Sequence, residues 1–150
     1  LQHYKSGPAS YQVSALVQGG QLVAADGAGA TTVSPAGAAS LLVLGVAGVS
    51  AAPIPNQAGA TDTAAGGAPL VDISVLPDYT PVYGPGYDMH VVYVANAAFG
   101  EYLVAAAAPG QVTTYTLGGG ANPLTIIGRC TQPGGVVVAT LATGRMRFLG

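Results

Sequence analysis

The chain has 150 residues, half of them hydrophobic, with 23 glycines, 11 prolines, one cysteine and no tryptophan. Only 7% of residues are Asp, Glu, Lys or Arg and the formal net charge is -2, whereas an ordinary soluble domain is about 25% charged. The absence of a Lys/Arg cluster argues against nucleic acid, because phosphate binding needs several cations on one face, and the lone Cys130 excludes an intrachain disulfide or a multi-thiolate zinc site.

A chain of this length buries its own core without metal or disulfide staples, so one folding unit is expected. Such a monomer exposes about 7,000 Å², most of it here uncharged. That surface suits an assembly component, covered by partners, better than a free cytosolic enzyme.

In chain order, positions 1–10 carry Gly7 and Pro8 and no periodicity, and read as an extended N-terminal arm. The stretch LQHYKSGPAS is polar and does not read as a signal peptide. Tyr11, Val13, Ala15 and Val17 alternate with polar residues as a half-buried strand, and Gly19-Gly20 turns the chain into a second strand at 21–25 that ends at Asp26-Gly27. The run SLLVLGVAGV at 40–49 is apolar throughout and reads as a strand buried on both faces. The wider apolar stretch 36–54 is interrupted by glycines and flanked by Pro35, Pro53 and Pro55, which favours a buried strand over a membrane-spanning helix.

Positions 51–69 have no pattern and read as a long loop. Val71, Ile73 and Val75 alternate as a strand over 71–76. The segment 77–88 interleaves prolines and glycines with Tyr79, Tyr83 and Tyr87, which rules out a helix and is read as a loop. Strands are predicted over 89–94, 102–106, 112–117, 124–128, 136–141 and 146–149, with turns at 97–100 and at Gly118, Gly119 and Gly120. No stretch carries a capped 3.6-residue apolar stripe. An all-β single-domain sandwich or small barrel with long internal loops is therefore expected.

A weak internal repeat relates 11–50 to 89–141. GQLVAADG followed by LLVLGVA in the first half answers GEYLVAAAAPG followed by LTIIGRC in the second, each apolar strand carrying a glycine, Gly45 or Gly128. Duplication competes here with chance similarity in a chain so rich in Ala, Val and Gly.

Residues that carry chemistry are sparse. His3 and His90 have no Ser, Cys or carboxylate at a catalytic or zinc-binding spacing. Asp26, Asp62, Asp72, Asp78, Asp88 and Glu101 are scattered, and the glycine pairs lack the residues of a phosphate loop. No catalytic, cofactor-binding or metal-binding residue is predicted, and no cofactor. The candidates suit protein contact instead: Tyr4 and Lys5 on the arm, Tyr79, Tyr83 and Tyr87 as aromatic anchors or as packing over a sheet edge, and Arg145 and Arg147. The two arginines stand two apart on a strand and so point the same way, either gripping a partner's carboxylate or lying solvated.

The run GGQLVAADG, followed by SPAGAASLLVLGVA, resembles the N-terminal half of the small capsid decoration, or cement, proteins of tailed phages. These place a strand ending in Leu-Val before a turn, then an alanine-rich segment leading into a strand ending Leu-Gly-Val-Ala. The matching positions are Leu22, Val23, 36–39 and 44–47, and the second half is similar at Leu103, Val104, Ile127, Gly128 and 133–135. The loop at 51–69 and the tyrosine segment fall outside the pattern. The resemblance implies a β-tulip-like head-surface protein on the outside of the virion, commonly trimeric, which binds the major capsid protein and resists expansion of the shell. A competing class is a secreted or cell-surface β-sandwich, an adhesin or carbohydrate-binding module, whose tyrosines stack on sugars. An enzyme comes third and requires a pocket in which Asp and His side chains converge.

Overall fold

The computed structural model describes residues 8–38, 40–53, 76–118, 122–140 and 142–150. The fold is all-β. Strands β1 (Ala9–Val13), β2 (Leu22–Ala25), β3 (Thr32–Pro35), β4 (Val43–Ala47) and β5 (Tyr79–Tyr83) close into a barrel in the order β1-β3-β2-β4-β5. Strands β6 (Asp88–Val92), β7 (Tyr102–Ala105), β8 (Val112–Thr114), β9 (Ile126–Cys130) and β10 (Thr143–Phe148) form a second five-stranded sheet in the order β6-β10-β9-β7-β8. Its outer strands meet at an isolated parallel bridge between Tyr93 and Val112. The only helical element among the described residues is a single 3-10 turn, Pro123–Thr125, capped by the Asn122 side chain.

The two sheets share strand order and register. In the first, β2 pairs with β4 through Leu22–Val46 and Val23–Gly45 and then slips by a bulge to Ala24–Val43. In the second, β7 pairs with β9 through Tyr102–Arg129 and Leu103–Gly128 and slips at the same place to Val104–Ile126. The parallel contact of Val13 with Val33 corresponds to that of Tyr93 with Val112. The turns leading into β2 and β7 match atom for atom. Gln21 accepts from the Gln18 N–H at 2.8 Å through its side chain, and Glu101 accepts from the Ala98 N–H at 2.7 Å. Gly20 and Gly100 hold φ of 86° and 85°, where a Cβ is disfavoured.

Period-2 alternation fills both interiors. Val13, Val17, Val23, Val33, Ala47, Ala51 and Val82 form the core of the first barrel. Their register counterparts Tyr93, Ala97, Leu103, Val112, Cys130, Val136 and Met146 lie in the larger second cluster. That cluster also takes in Leu22, Ala24, Ala36 and Val46, the outward side of β2 and β4 and the chain that follows β3. The two sheets therefore pack on each other through that outward face. Backbone bonds join them there, with the Leu22 N–H donating to the Gly110 carbonyl and the Gly110 N–H to the Ala36 carbonyl, both at 2.8 Å.

Several sequence expectations are corrected. Ala9 and Ser10, read as part of the arm, belong to β1, where they pair with Val82 and Pro81. The tyrosine segment is not wholly a loop, since Tyr79–Tyr83 is β5. Pro81 is tolerated within it because its carbonyl faces β4 and accepts from the Gly48 N–H, so its missing donor removes no bond to β1. Thr32–Pro35, unassigned from sequence, is β3. The expected strand at 136–141 is a single bridge at Val136 followed by a turn at 138–140. The run at 40–49 holds a strand only at Val43–Ala47, with Leu41 and Leu42 exposed rather than buried. The terminal strand is longer than expected and begins at Thr143. Positions 1–7 with Tyr4 and Lys5, most of the loop at 51–69, and the strand expected at 71–76 apart from Leu76 lie outside the described residues.

Candidate interaction surface

Among the described residues, large apolar side chains are exposed at several places. Leu117, Leu124 and Phe99 are 79%, 78% and 66% exposed, and Leu16, Leu41 and Tyr79 are more than half exposed. Contiguous exposed apolar patches mark protein contact surfaces, whereas single exposed side chains are ordinary. Leu41 and Leu42 stand on the β3–β4 connection and Leu117 and Leu124 on its counterpart, the β8–β9 connection.

The tyrosines do not form one platform. Tyr79 projects from the start of β5, while the Tyr83 and Tyr87 rings pack edge to face with centroids 5.3 Å apart. Tyr87 also lines a small 190 Å³ depression with Tyr11, Leu44 and Pro85. Two of the three rings thus stabilise the passage from the first barrel to the second sheet, and Tyr79 alone is left as an exposed aromatic.

The arginines of β10 have different surroundings. Arg147 pairs across the sheet with Asp88 and grips its carboxylate with two bonds, from Nε at 3.0 Å and from one terminal nitrogen at 2.7 Å. Thr131 donates a third, at 3.3 Å. The Arg147 hydrogen bond holds the Asp88 carboxyl below its ordinary value, and the Arg147 and Arg145 charges add to this. Arg145 stands opposite His90 in the same ladder. The carboxylate for Arg147 thus comes from this chain.

The pair has a consequence for acid stability. A carboxylate whose folded pKa is depressed stabilises the protein above its unfolded pKa, and the contribution is lost as pH falls through the folded value. The thermal midpoint of Asp88→Asn should therefore lie below wild type near neutral pH, with the gap closing as the pH falls below the ordinary carboxylate range and through the depressed value of Asp88. The effect should be small because both side chains are substantially exposed. A gap that is independent of pH would show that the charge of Asp88 is not what matters. Asp26 behaves in the same sense: burial opposes its ionisation, but hydrogen bonds from Thr32, Ser34 and Ser14 outweigh burial and lower its pKa.

A crevice of 460 Å³ lies where Gly19, Gly20, Ala47 and Gly48 of the first barrel face Asp88–Val92 and Thr143 of the second sheet. Asp88 and His90 share the outer side of β6 there, but both Asp88 oxygens are engaged by Arg147 and Thr131. Cys130 is fully buried. Burial pushes the Tyr93 phenol far above its usual range, so it stays protonated and donates to the Arg145 carbonyl at 3.0 Å. Among the described residues no three His, Cys, Asp or Glu side chains gather to hold a metal. The crevice offers backbone and apolar contact rather than an acid–base pair.

One group lies outside the candidates that the sequence offers. Arg129, on the outward side of β9, lies over the Tyr102 ring with its guanidinium carbon 4.2 Å from the centroid, and donates to the Tyr102 hydroxyl. Tyr102, Val104 and Ile126 around it are half-buried and Arg129 itself is exposed. The sign lay in the repeat, which sets Arg129 against Val46, a charged residue where the other half carries a buried valine.

Comparison of the sequence with protein-family models and with curated proteins finds no match.

Proposed function

We propose that this chain is a non-enzymatic structural protein that binds the outside of an assembled phage capsid and stabilises it by bridging major capsid protein subunits. The observation that carries this reading is the surface: an all-β body with few charges, on which leucine, phenylalanine and tyrosine side chains stand out at loop ends. Placing such groups against a protein partner removes apolar area from water while desolvating few charges, so little opposes association. Many copies, each making modest contacts, would share the load on a shell. The phage assignment itself rests on the Leu-Val and Leu-Gly-Val motifs at Leu22–Val23 and Leu44–Ala47.

Co-sedimentation with shells of the major capsid protein of the same virus tests the reading. The chain is expected to pellet with shells and to saturate. A chain that stays in the supernatant at every shell concentration contradicts it.

A further inference from the structure

One wall of the 460 Å³ crevice is main chain, because Gly19, Gly20 and Gly48 bring no side chain to it. The opposite wall, β6, is a strand edge with open donors. The Tyr93 N–H donates to the Ala142 carbonyl and the Phe148 N–H to the Tyr87 carbonyl. In the antiparallel ladder with β10, the odd-numbered residues of β6 therefore turn their main-chain groups to β10, and His90 and Val92 turn theirs toward the first barrel. Among the described residues nothing accepts from the His90 or the Val92 N–H. Gly20 lies against the His90 carbonyl, so close that an added Cβ would stand 3.2 Å from that oxygen. A further strand along this edge is stopped there, and what fits beside the two N–H groups is a short segment bearing acceptors.

The rim of the crevice carries a cation that no acid of the chain answers. Arg145 stands across the ladder from His90, on the same exposed face and in the register where cross-strand side chains come closest. The neighbouring Asp88 has both oxygens bonded by Arg147 and Thr131. The other described carboxylates are engaged elsewhere, Asp26 by Thr32, Asp78 by Gln12 and Glu101 by the Ala98 N–H. Among the described residues no carboxylate bonds Arg145.

We propose that the crevice receives an aspartate or glutamate side chain of a protein partner, its carboxylate held by the Arg145 guanidinium and a carbonyl of the same segment accepting from the His90 or Val92 N–H. The proposal rests on the reading of the chain as a protein that binds other protein surfaces, and it names the chemistry of one contact. Charge complementarity selects the acid, since one guanidinium and two main-chain donors face the same opening. The rest of the lining selects a peptide segment over a free anion, since Ala47, Met89 and Val92 add apolar surface that a small ion leaves uncovered. One ion pair is all that the contact contributes, so binding of the whole surface keeps its weak dependence on salt.

The test is an amide nuclear magnetic resonance titration of the full chain with two blocked tripeptides, acetyl-Val-Glu-Val-amide and acetyl-Val-Gln-Val-amide. The glutamate peptide should move the His90 and Val92 signals along a saturating curve and bind about fivefold or more tightly than the glutamine peptide. Arg145→Gln should abolish that preference, and Arg129→Gln, which removes the exposed cation of β9 two strands from β6, should keep it. Circular dichroism and thermal midpoints check that both variants are folded. No saturating shift at His90 and Val92, equal binding of the two peptides, or a preference that survives in folded Arg145→Gln would each overturn the proposal. Shell pelleting is read separately. A wild type that pellets while Arg145→Glu pellets equally well overturns this contact and spares the capsid reading. A wild type that never pellets overturns the capsid reading, and the peptide titration then decides the contact by itself.

Discussion

Gly45→Ala is expected to destabilise the protein by about 3 kcal/mol, at the upper end of the range for overpacking, lowering the thermal midpoint by about 10 °C. Gly45 sits at the bulge where β2 changes register on β4, and a Cβ there would overlap the carbonyl of Tyr83 on β5. The obstacle is main chain on a neighbouring strand, so no side chain can turn aside to relieve it. The barrel must open between β4 and β5 or the bulge must straighten, and either change displaces Val46 and Ala47 from their cores. Gly128 is the counterpart in β9, where an added Cβ would stand 2.7 Å from the Arg147 carbonyl. Gly27, in the open turn after β2, has nothing within 4 Å of an added Cβ, so Gly27→Ala should stay within about 0.5 kcal/mol of wild type. Equal melting of the Gly45 and Gly27 variants would show that strand crowding at the bulge has been overstated.

Phe148→Ala should cost about 3–5 kcal/mol, as truncation of a fully buried aromatic does when the cavity cannot collapse. Phe148 is 1% exposed at the end of β10, opposite Gly128, in the cluster that fills the second sheet and the contact between the sheets. Both of its backbone polar groups are held by the segment before β6, the N–H donating to the Tyr87 carbonyl and the C=O accepting from the Gly86 N–H. The chain around the missing ring is thus pinned, and relaxation into the space is limited. The neighbouring Leu149 is 45% exposed, and Leu149→Ala should cost about 1 kcal/mol or less. Denaturant titration of both variants separates them. A Phe148→Ala midpoint near that of Leu149→Ala would place the ring outside the core.

The parts of the fold written as short-range alternation were legible. Tyr11-Val13, Leu103-Ala105 and Met89-Val91 announce strands because every second residue faces an interior. The Leu-Gly-Val and Ile-Gly-Arg matches of the internal repeat fall on the same register positions, Gly45 and Gly128. β3 was not legible because Thr32, Ser34 and Pro35 give only Val33 to the core, and one inward residue makes no period. β5 was hidden by Pro81, whose usual meaning as a strand breaker fails at a position where only its carbonyl is used. The apolar run Val136 to Val138 suggested a strand, but among the described residues Val136 alone makes a bridge, and the chain then turns.

The interaction candidates divide in a similar way. Exposure of Tyr79 agrees with a side chain free to make contacts, but the edge-to-face packing of Tyr83 and Tyr87 depends on where β5 hands over to β6, which no local pattern encodes. The Asp88–Arg147 pair joins residues 59 apart in sequence. Only the pairing of β6 with β10 brings them together. The significance of Arg129 is comparative: the equivalent position on the first barrel is a valine buried under the second sheet.

The most direct measurement for the covering and bridging role is the number of copies retained per shell. Shells of the major capsid protein would be titrated with the chain, pelleted, and the bound fraction determined by quantitative gel densitometry, alongside the heating midpoint of the shells themselves. The account expects saturation at a fixed ratio of chain to capsid protein and a rise in the shell midpoint that tracks occupancy. It also expects binding that weakens little between low and high salt, since few charges meet at so neutral a surface. Absence of retained protein at saturating concentration, or binding that leaves shell stability unchanged, would contradict it.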